Sequence, residues 1–366
     1  MSIPFTDTVA NLPATTPFVG PETLQRQRGR DFKLRIGANE SAWGMSPLAR
    51  EAMINALDDS RYYADPESHE LRSAIAHKHG VALDEVCVDG GIDTLLGLMV
   101  RMLVSKGDKV VSSLGAYPTF NYHVAGFGGE LHTVPYKGFF EDPEALLAET
   151  LRLQASVVYF ANPDNPMGTC HPAATVQTLI DGIPENTVLA LDEAYIEFAN
   201  EGNAPAIDTS NPRVLRFRTF SKAYGMAGQR VGYAIGHRDL ISGLNKIRNH
   251  FGLNRVAQTG ALVSLSDEAF LADVLRMNRE ARARVMQLAA DNNLYAEPSS
   301  TNFVAVDMGS QQRAVAMIAA LADEDVFMRM PGVAPLNSCI RVGLCRTEDY
   351  EYFKQAFEKS LAATAG

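Results

Sequence analysis

The 366-residue chain has no apolar run long enough to cross a membrane: the longest, residues 95–104, is interrupted by Arg101, whereas a spanning helix needs about 20 apolar residues. It has only four cysteines, Cys87, Cys170, Cys339 and Cys345, without CxxC or zinc-type spacing. That excludes a cysteine framework, makes no metal site expected, and leaves reduced thiols as the expected state. It also lacks a basic excess, since 33 Lys and Arg against 43 Asp and Glu give a net charge of -10; neither a nucleic-acid nor an anionic-membrane surface is expected. The start, MSIPFTDTVANLP, has no basic region followed by an apolar one, so no secretory signal is expected and a cytoplasmic location is. No internal repeat, low-complexity tract or charged tail is present. What is there is ordinary for a globular protein, 46% hydrophobic and 21% charged. At roughly 150 residues per domain, the length predicts one large and one smaller domain.

Residues 1 to about 30 are rich in Pro, Thr and Gly without a clear period, which predicts an irregular arm lying on another subunit. A short strand is expected at 32–36. Ser46-Pro47 supplies an N-cap and first-turn pair for a helix to about 57, and a second helix over 67–79 should stop at Gly80. From 85 to 236 short apolar runs alternate with helical stretches: VCV then 94–104, KVVSS then 118–126, SVVYF then 173–181, followed by VLALD, VLRFRTF and VGYAIG. Runs that are apolar on both faces suit parallel strands covered by helices on both sides. The expected class is α/β, a large doubly wound, mostly parallel sheet with its site at the strand carboxyl ends, plus a smaller α+β domain. The expected division is an arm at 1–30, a large domain at 47–240, and a small one from 31–46 and 241–366. The small one should hold a helix over 266–292, strands at 303–307, 326–329 and 339–344, a helix over 311–322, and a last helix capped by Thr347.

The stretch RTFSKAYGMAGQRVGYAIG, residues 218–236, organises the chemistry. Lys222 sits in a loop leaving an apolar strand; a lysine there either finds an anion or loses its proton and becomes a nucleophile for carbonyls. Thr219, Ser221 and Arg230 around it are suited to a phosphate. VCVD runs into GGIDT, where Gly91, Ile92 and Asp93 open a helix whose amides could meet an anion, although an ordinary glycine turn explains the same residues. ANPDNPMGT places two Asn-Pro pairs in a rigid turn and carries Asn165. Asp192 ends VLALD and is followed by Glu193 and Tyr195. Tyr63 lies in RYYADP, Asn39 and Trp43 in NESAWG, Phe120 in YPTF, Arg329 in VFMRMPG and Arg341 in NSCIRVGL. An arginine in so apolar a strand needs a carboxylate partner.

Taken together and in this order, these motifs resemble those of the fold type I, class I/II aminotransferases, which use pyridoxal 5'-phosphate. Within them the chain is most similar to histidinol-phosphate aminotransferases, which share NExxxG, RYxDP, GxD and NPxNPxG; NESAWG stands where those enzymes have NENPYG, so Trp43 replaces a tyrosine at the substrate end. The resemblance implies that Lys222 forms the Schiff base and Asp192 faces the pyridine nitrogen, with Tyr195 and Asn165 on the ring hydroxyl. It further implies that Gly91, Ile92, Asp93, Thr219, Ser221 and Arg230 hold the phosphate, and that Phe120 lies over the ring. Arg341, Trp43, Asn39 and Arg329 would meet substrate, and Tyr63 would reach the site of a partner in a homodimer. The implied activity is ping-pong transfer of an amino group to a 2-oxo acid such as 2-oxoglutarate. The alternatives are an aromatic or broad-specificity aminotransferase, and a decarboxylase of a phosphorylated amino acid such as threonine phosphate.

Overall fold

The structure is a computed structural model that describes residues 3–13 and 19–364. Two short helices, α1 (Asp7–Ala10) and α2 (Pro21–Arg28), lie in the stretch expected to be irregular, of which 14–18 fall outside the described residues. Pro21 opens α2 and Gly29, at φ +69, closes it, a pairing of first-turn proline and left-handed glycine that defines a helix. β1 (Leu34–Arg35) and α3 (Pro47–Ala56) follow. Ser46 caps α3 by accepting from the Ala49 amide at 3.2 Å. α4 (His69–His79) stops at Gly80, φ +65, as its sequence predicts.

Next come β2 (Val86–Asp89), α5 (Ile92–Leu103), β3 (Lys109–Ser113), α6 (Pro118–Gly126), β4 (Glu130–Val134), α7 (Pro143–Leu153), β5 (Val157–Ala161), α8 (Ala173–Gly182), β6 (Val188–Asp192), β7 (Val214–Thr219) and β8 (Gly232–Gly236). Their strands form one seven-stranded sheet in the order β2-β8-β7-β6-β5-β3-β4, in which only β8 runs against its neighbours. β5 is buried along its whole length, as a strand covered on both faces must be. β4 and α7 are additions to the expected set. β4 is a sheet edge with only Val134 buried, so it carries no continuous apolar run. α7 was marked by Asp142, whose carboxylate caps Glu144 and Ala145 ahead of Pro143.

The last third holds α9 (Arg238–Ile247), α10 (Arg255–Ser266), α11 (Glu268–Asp291), β9 (Tyr295–Ala296), β10 (Phe303–Asp307), α12 (Gln311–Asp323), β11 (Val326–Phe327), β12 (Cys339–Gly343) and α13 (Thr347–Ala363). β10 is the centre of a three-stranded antiparallel sheet with β12 and β9, and β1 pairs with β11 in parallel. Leu34, Ile36, Val285, Val304, Met317, Ile340 and Phe353 share one core there. α9 and α10 pack elsewhere: Ile241 and Leu244 join the core of β2 and α5, and Ala257 and Ala261 join that of Phe220 and Tyr233. Both helices thus cover the large sheet. At α13 the capping position belongs to Arg346, with Thr347 already inside the helix; Glu348 and Asp349 do occupy its first turn, where acids suit the helix dipole.

Candidate active site

The carboxyl ends of β2, β3, β5, β6 and β7 open into one cavity of about 880 Å³, whose wall also takes in Asn39, Arg329 and Arg341. This is where a parallel sheet leaves room for a ligand. Of the residues singled out in the sequence, Lys222, Asp192, Tyr195, Asn165, Ile92, Asp93, Thr219, Ser221 and Arg230 line the same wall.

Lys222 lies in the turn after β7, where the Gly225 amide donates to the Lys222 carbonyl at 3.1 Å and the Met226 amide to the Phe220 carbonyl at 2.9 Å. Gly225 has φ +68, and a Cβ on it would collide with the Gly44 carbonyl; only glycine lets the turn press on the 39–44 loop. The partners of the lysine ammonium are a carbonyl and a ring: Nζ donates to the Asn39 carbonyl at 3.2 Å and lies 5.4 Å from the centre of the Tyr195 ring. Asn39, at φ +57 and 3% exposed, donates from Nδ2 to the Tyr195 hydroxyl at 2.9 Å. Its Oδ1 is buried without a hydrogen-bond partner among the described residues.

Asp192 ends β6 and is buried. Its carboxylate accepts from the Tyr159 hydroxyl at 2.7 Å and from the Ala194 amide at 3.0 Å. Burial pushes the carboxyl up to about 6, with the two hydrogen bonds and Lys222 pulling the other way. A buried acid held by neutral donors is a receptor for a cation brought in from outside.

An anion cradle lies beside it. Gly91 caps α5 at φ +90 without a side-chain cap, so the first amides of the helix are open. A Cβ on Gly91 would come within 2.6 Å of Arg230 Nη2. The guanidinium donates to Ser221 Oγ at 3.3 Å and pairs with Asp93 at 3.2 Å, and the Thr219 hydroxyl donates to Ser221 Oγ at 3.0 Å. Open amides at a helix start, a guanidinium and two hydroxyls together suit a phosphate. Arg230 precedes β8 in the left-handed region, φ +54.

Arg341, on β12, donates from Nη1 to Asn165 Oδ1 at 2.8 Å and from Nη2 to the Gly37 carbonyl at 3.0 Å. Burial lowers its pKa, and its Nε has no hydrogen-bond partner among the described residues. Arg329 reaches the same wall, donates to the Val19 carbonyl at 2.7 Å and lies over the Phe327 ring.

Four expected residues lie off the wall: Gly91, which caps α5 behind the cradle, and three aromatic residues. Phe120 is fully buried and stacks on Tyr159 with ring centres 4.7 Å apart, because α6 begins at Pro118 and its third residue turns inward. The aromatic of that loop that faces the cavity is Tyr117, whose hydroxyl donates to Asp93 at 2.8 Å. Trp43 is not on the wall itself; it packs against two apolar cores, one of which contains the cavity-lining Tyr195. Tyr63 is 80% exposed and packs at a tilt against Phe251, with ring centres 4.7 Å apart, off the wall of this cavity. Tyr159 was missed; a tyrosine in an otherwise apolar strand, one strand from Asp192, was its only signal.

A lysine in a turn at a strand end, a buried acid and an anion cradle at the carboxyl edge of the seven-stranded sheet, with an arginine brought to the same cavity by β12, make one site. The chain belongs to the class I and II aminotransferases, whose family model matches residues 31–357. Among solved structures, histidinol-phosphate aminotransferase from Sinorhizobium meliloti, in complex with pyridoxal-5'-phosphate, is 45% identical with a TM-score of 0.97, over 100% of this chain and 99% of that one. Histidinol-phosphate aminotransferase 2 of Ralstonia nicotianae is 34% identical over 95% of this chain and 96% of its own length. A relative of the same name from Anaeromyxobacter is 32% identical over 97% and 98%. A Thermus thermophilus aspartate aminotransferase, 22% identical with a TM-score of 0.84 over 99% of this chain and 100% of that one, shares the fold.

Proposed function

We propose that this chain is a pyridoxal 5'-phosphate enzyme that transfers the amino group of histidinol phosphate to 2-oxoglutarate in two half-reactions. The observation that carries it is the meeting of Lys222, cation-seeking Asp192 and Arg341 in one cavity beside an anion cradle. The residues fit the cofactor: the missing side chain at Gly91 lets the Arg230 guanidinium lie against the open amides of α5, where a phosphate would bind, and buried Asp192 would meet a protonated ring nitrogen. When bound, that cofactor supplies an aldehyde for an amine and a ring that withdraws electrons from the substrate carbon.

The chain does the rest. The α5 amides, Thr219, Ser221 and Arg230 hold the phosphate, and Tyr195 and Asn165 hold the ring oxygen. Asp192 keeps the ring nitrogen protonated, helped by the Tyr159 hydroxyl. Lys222 Nζ would take the proton from the substrate Cα as general base and deliver it, as general acid, to the carbon that carries the cofactor's aldehyde. Arg341 binds a carboxylate or phosphate oxygen with its paired N–H groups, and Arg329 widens that anion site. Tyr117 covers the ring, the place expected for Phe120.

A second copy completes the site. Tyr63 and Tyr62, with Leu48, Ile54 and Leu57 on and after α3, expose an apolar surface suited to a homodimer in the cytoplasm, with Tyr63 reaching the partner's phosphate. The large cofactor-binding unit then comprises 47–266, and the small unit 31–46 with 267–364.

Mixing purified, cofactor-loaded protein with single amines tests this. Loss of the cofactor-lysine absorbance with histidinol phosphate, restored by 2-oxoglutarate, is expected. Response to Phe or Tyr alone points to an aromatic aminotransferase, and release of CO2 without an acceptor to a decarboxylase. Lys222→Ala should abolish turnover while leaving the protein folded; full activity in it overturns the proposal.

A further inference from the structure

Beneath the turn that presents Asn165 lies a second polar cluster that the chemistry above does not use. Glu141 and Asp164 are 1% and 2% exposed. Glu141 Oε2 accepts from Ser113 Oγ at 2.5 Å, at the end of β3, and Oε1 from the Ala161 amide at 3.0 Å, at the end of β5. Asp164 Oδ1 accepts from the Tyr136 hydroxyl at 2.9 Å and Oδ2 from the Met167 amide at 3.0 Å. Each carboxyl thus meets only neutral donors, and the two lie close enough in this buried cluster to act on each other's charge. Two neighbouring carboxyls buried without a cation cannot both ionise, so a proton is retained on the pair.

The groups that face the pair are Tyr136 and Tyr159, the His171 ring, whose Nε2 donates to the Glu141 carbonyl at 2.9 Å, and Arg341 at a greater distance. Among the described residues neither carboxyl forms an ion pair. Burial raises both acids, Asp164 to about 7 and Glu141 well above the carboxylate range. Asp164 is the residue before Asn165, whose side-chain oxygen is the acceptor for Arg341 Nη1.

We propose that Glu141 and Asp164 are positioning residues that share one proton, and that the retained proton holds the Asn165 turn at the height where it aims Arg341 into the cavity. The pair thereby ties the ends of β3 and β5 to the loop that meets the second sheet, and it acts on the anion-binding half of the reaction rather than on Lys222. This rests on the aminotransferase assignment for the role of Arg341, and not for the proton.

Two variants test it. In Glu141→Gln an amide donor replaces the shared proton, with the Ser113 hydroxyl turning from donor to acceptor; in Glu141→Ala both are lost. Infrared spectra of the full chain at pH 8 should show a protonated-carboxyl carbonyl band in the wild type that is missing from Glu141→Gln. Glu141→Ala should raise KM for 2-oxoglutarate about tenfold with kcat within about threefold, and Glu141→Gln should stay within about twofold of wild type on both. An unchanged infrared band in Glu141→Gln overturns the shared proton. Lower melting temperatures in both variants without a KM change overturn the positioning role. If Glu141→Ala does not fold, the infrared comparison and Glu141→Gln kinetics decide alone. Wild-type protein with no turnover on any amine would mark failure of the aminotransferase assignment instead, and leaves the infrared result standing.

Discussion

Asp192 and Glu193 are consecutive, both acidic and both buried, yet they sit in opposite electrostatic settings. Alternation along the strand end sends them to opposite faces of the sheet. Glu193 is gripped by Arg216 Nη1 at 2.9 Å and Arg218 Nε at 2.8 Å, two arginines on one face of β7. Burial alone would raise its pKa, but Arg218 and Arg216 more than offset that and hold it below its ordinary value. Asp192 has only a hydroxyl and an amide as hydrogen-bond donors, and rises to about 6. Glu193 is complete within the chain and is structural. Asp192 faces the cavity and forms no ion pair among the described residues.

The largest effect expected from breaking this contrast is on turnover. Asp192→Asn should lower kcat by about a hundred- to a thousandfold, the scale of losing one preorganised charge at a reacting group, measured with cofactor at saturation. Glu193→Gln should act on stability instead. Leaving two buried guanidinium groups short of their partner costs about 3–5 kcal/mol, visible in urea unfolding. Tyr159→Phe, which removes one donor from Asp192, should cost about 1–3 kcal/mol of stability at neutral pH and weaken cofactor binding. Retention of wild-type cofactor affinity would show that the hydroxyl does not set the acid.

The two acids should also titrate stability in opposite senses. Asp192, raised from 3.8 to about 6, burdens the cofactor-free protein: no cost below pH 4, a growing one from 4 to 6, and the full amount, about 3 kcal/mol, above 6. Glu193, lowered from 4.5, stabilises above that pH and loses its contribution as pH falls through its lower folded value. Unfolding measured between pH 3 and 8 should therefore show Asp192→Asn removing a decline toward neutral pH, and Glu193→Gln removing a loss on the acid side.

Much of this was legible in the chain because it was written locally. Buried strands announced themselves by apolar runs, α3 and α4 by Ser46-Pro47 and Gly80, and the site by residues that follow strand ends in order. What escaped was set by tertiary context. β4 is an edge strand with little to bury, and α9 and α10 belong to the large sheet only through the partners they pack on. Phe120 and Tyr117 differ by three positions in one motif, and which of them meets the cavity depends on where α6 begins. Tyr159 and Glu141 carry no motif and Asp164 fills a variable position within NPxNPxG, since their surroundings form only once the strands are assembled.

The most direct test of an acid left short of a cation is thermal unfolding of wild type and Asp192→Asn at pH 8, each with and without pyridoxal 5'-phosphate. Without the cofactor, the variant should be at least as stable as wild type; with it, wild type should gain far more than the variant. A cofactor-free Asp192→Asn protein that unfolds as early as Glu193→Gln would contradict the account, because Asp192 would then be an ordinary structural acid.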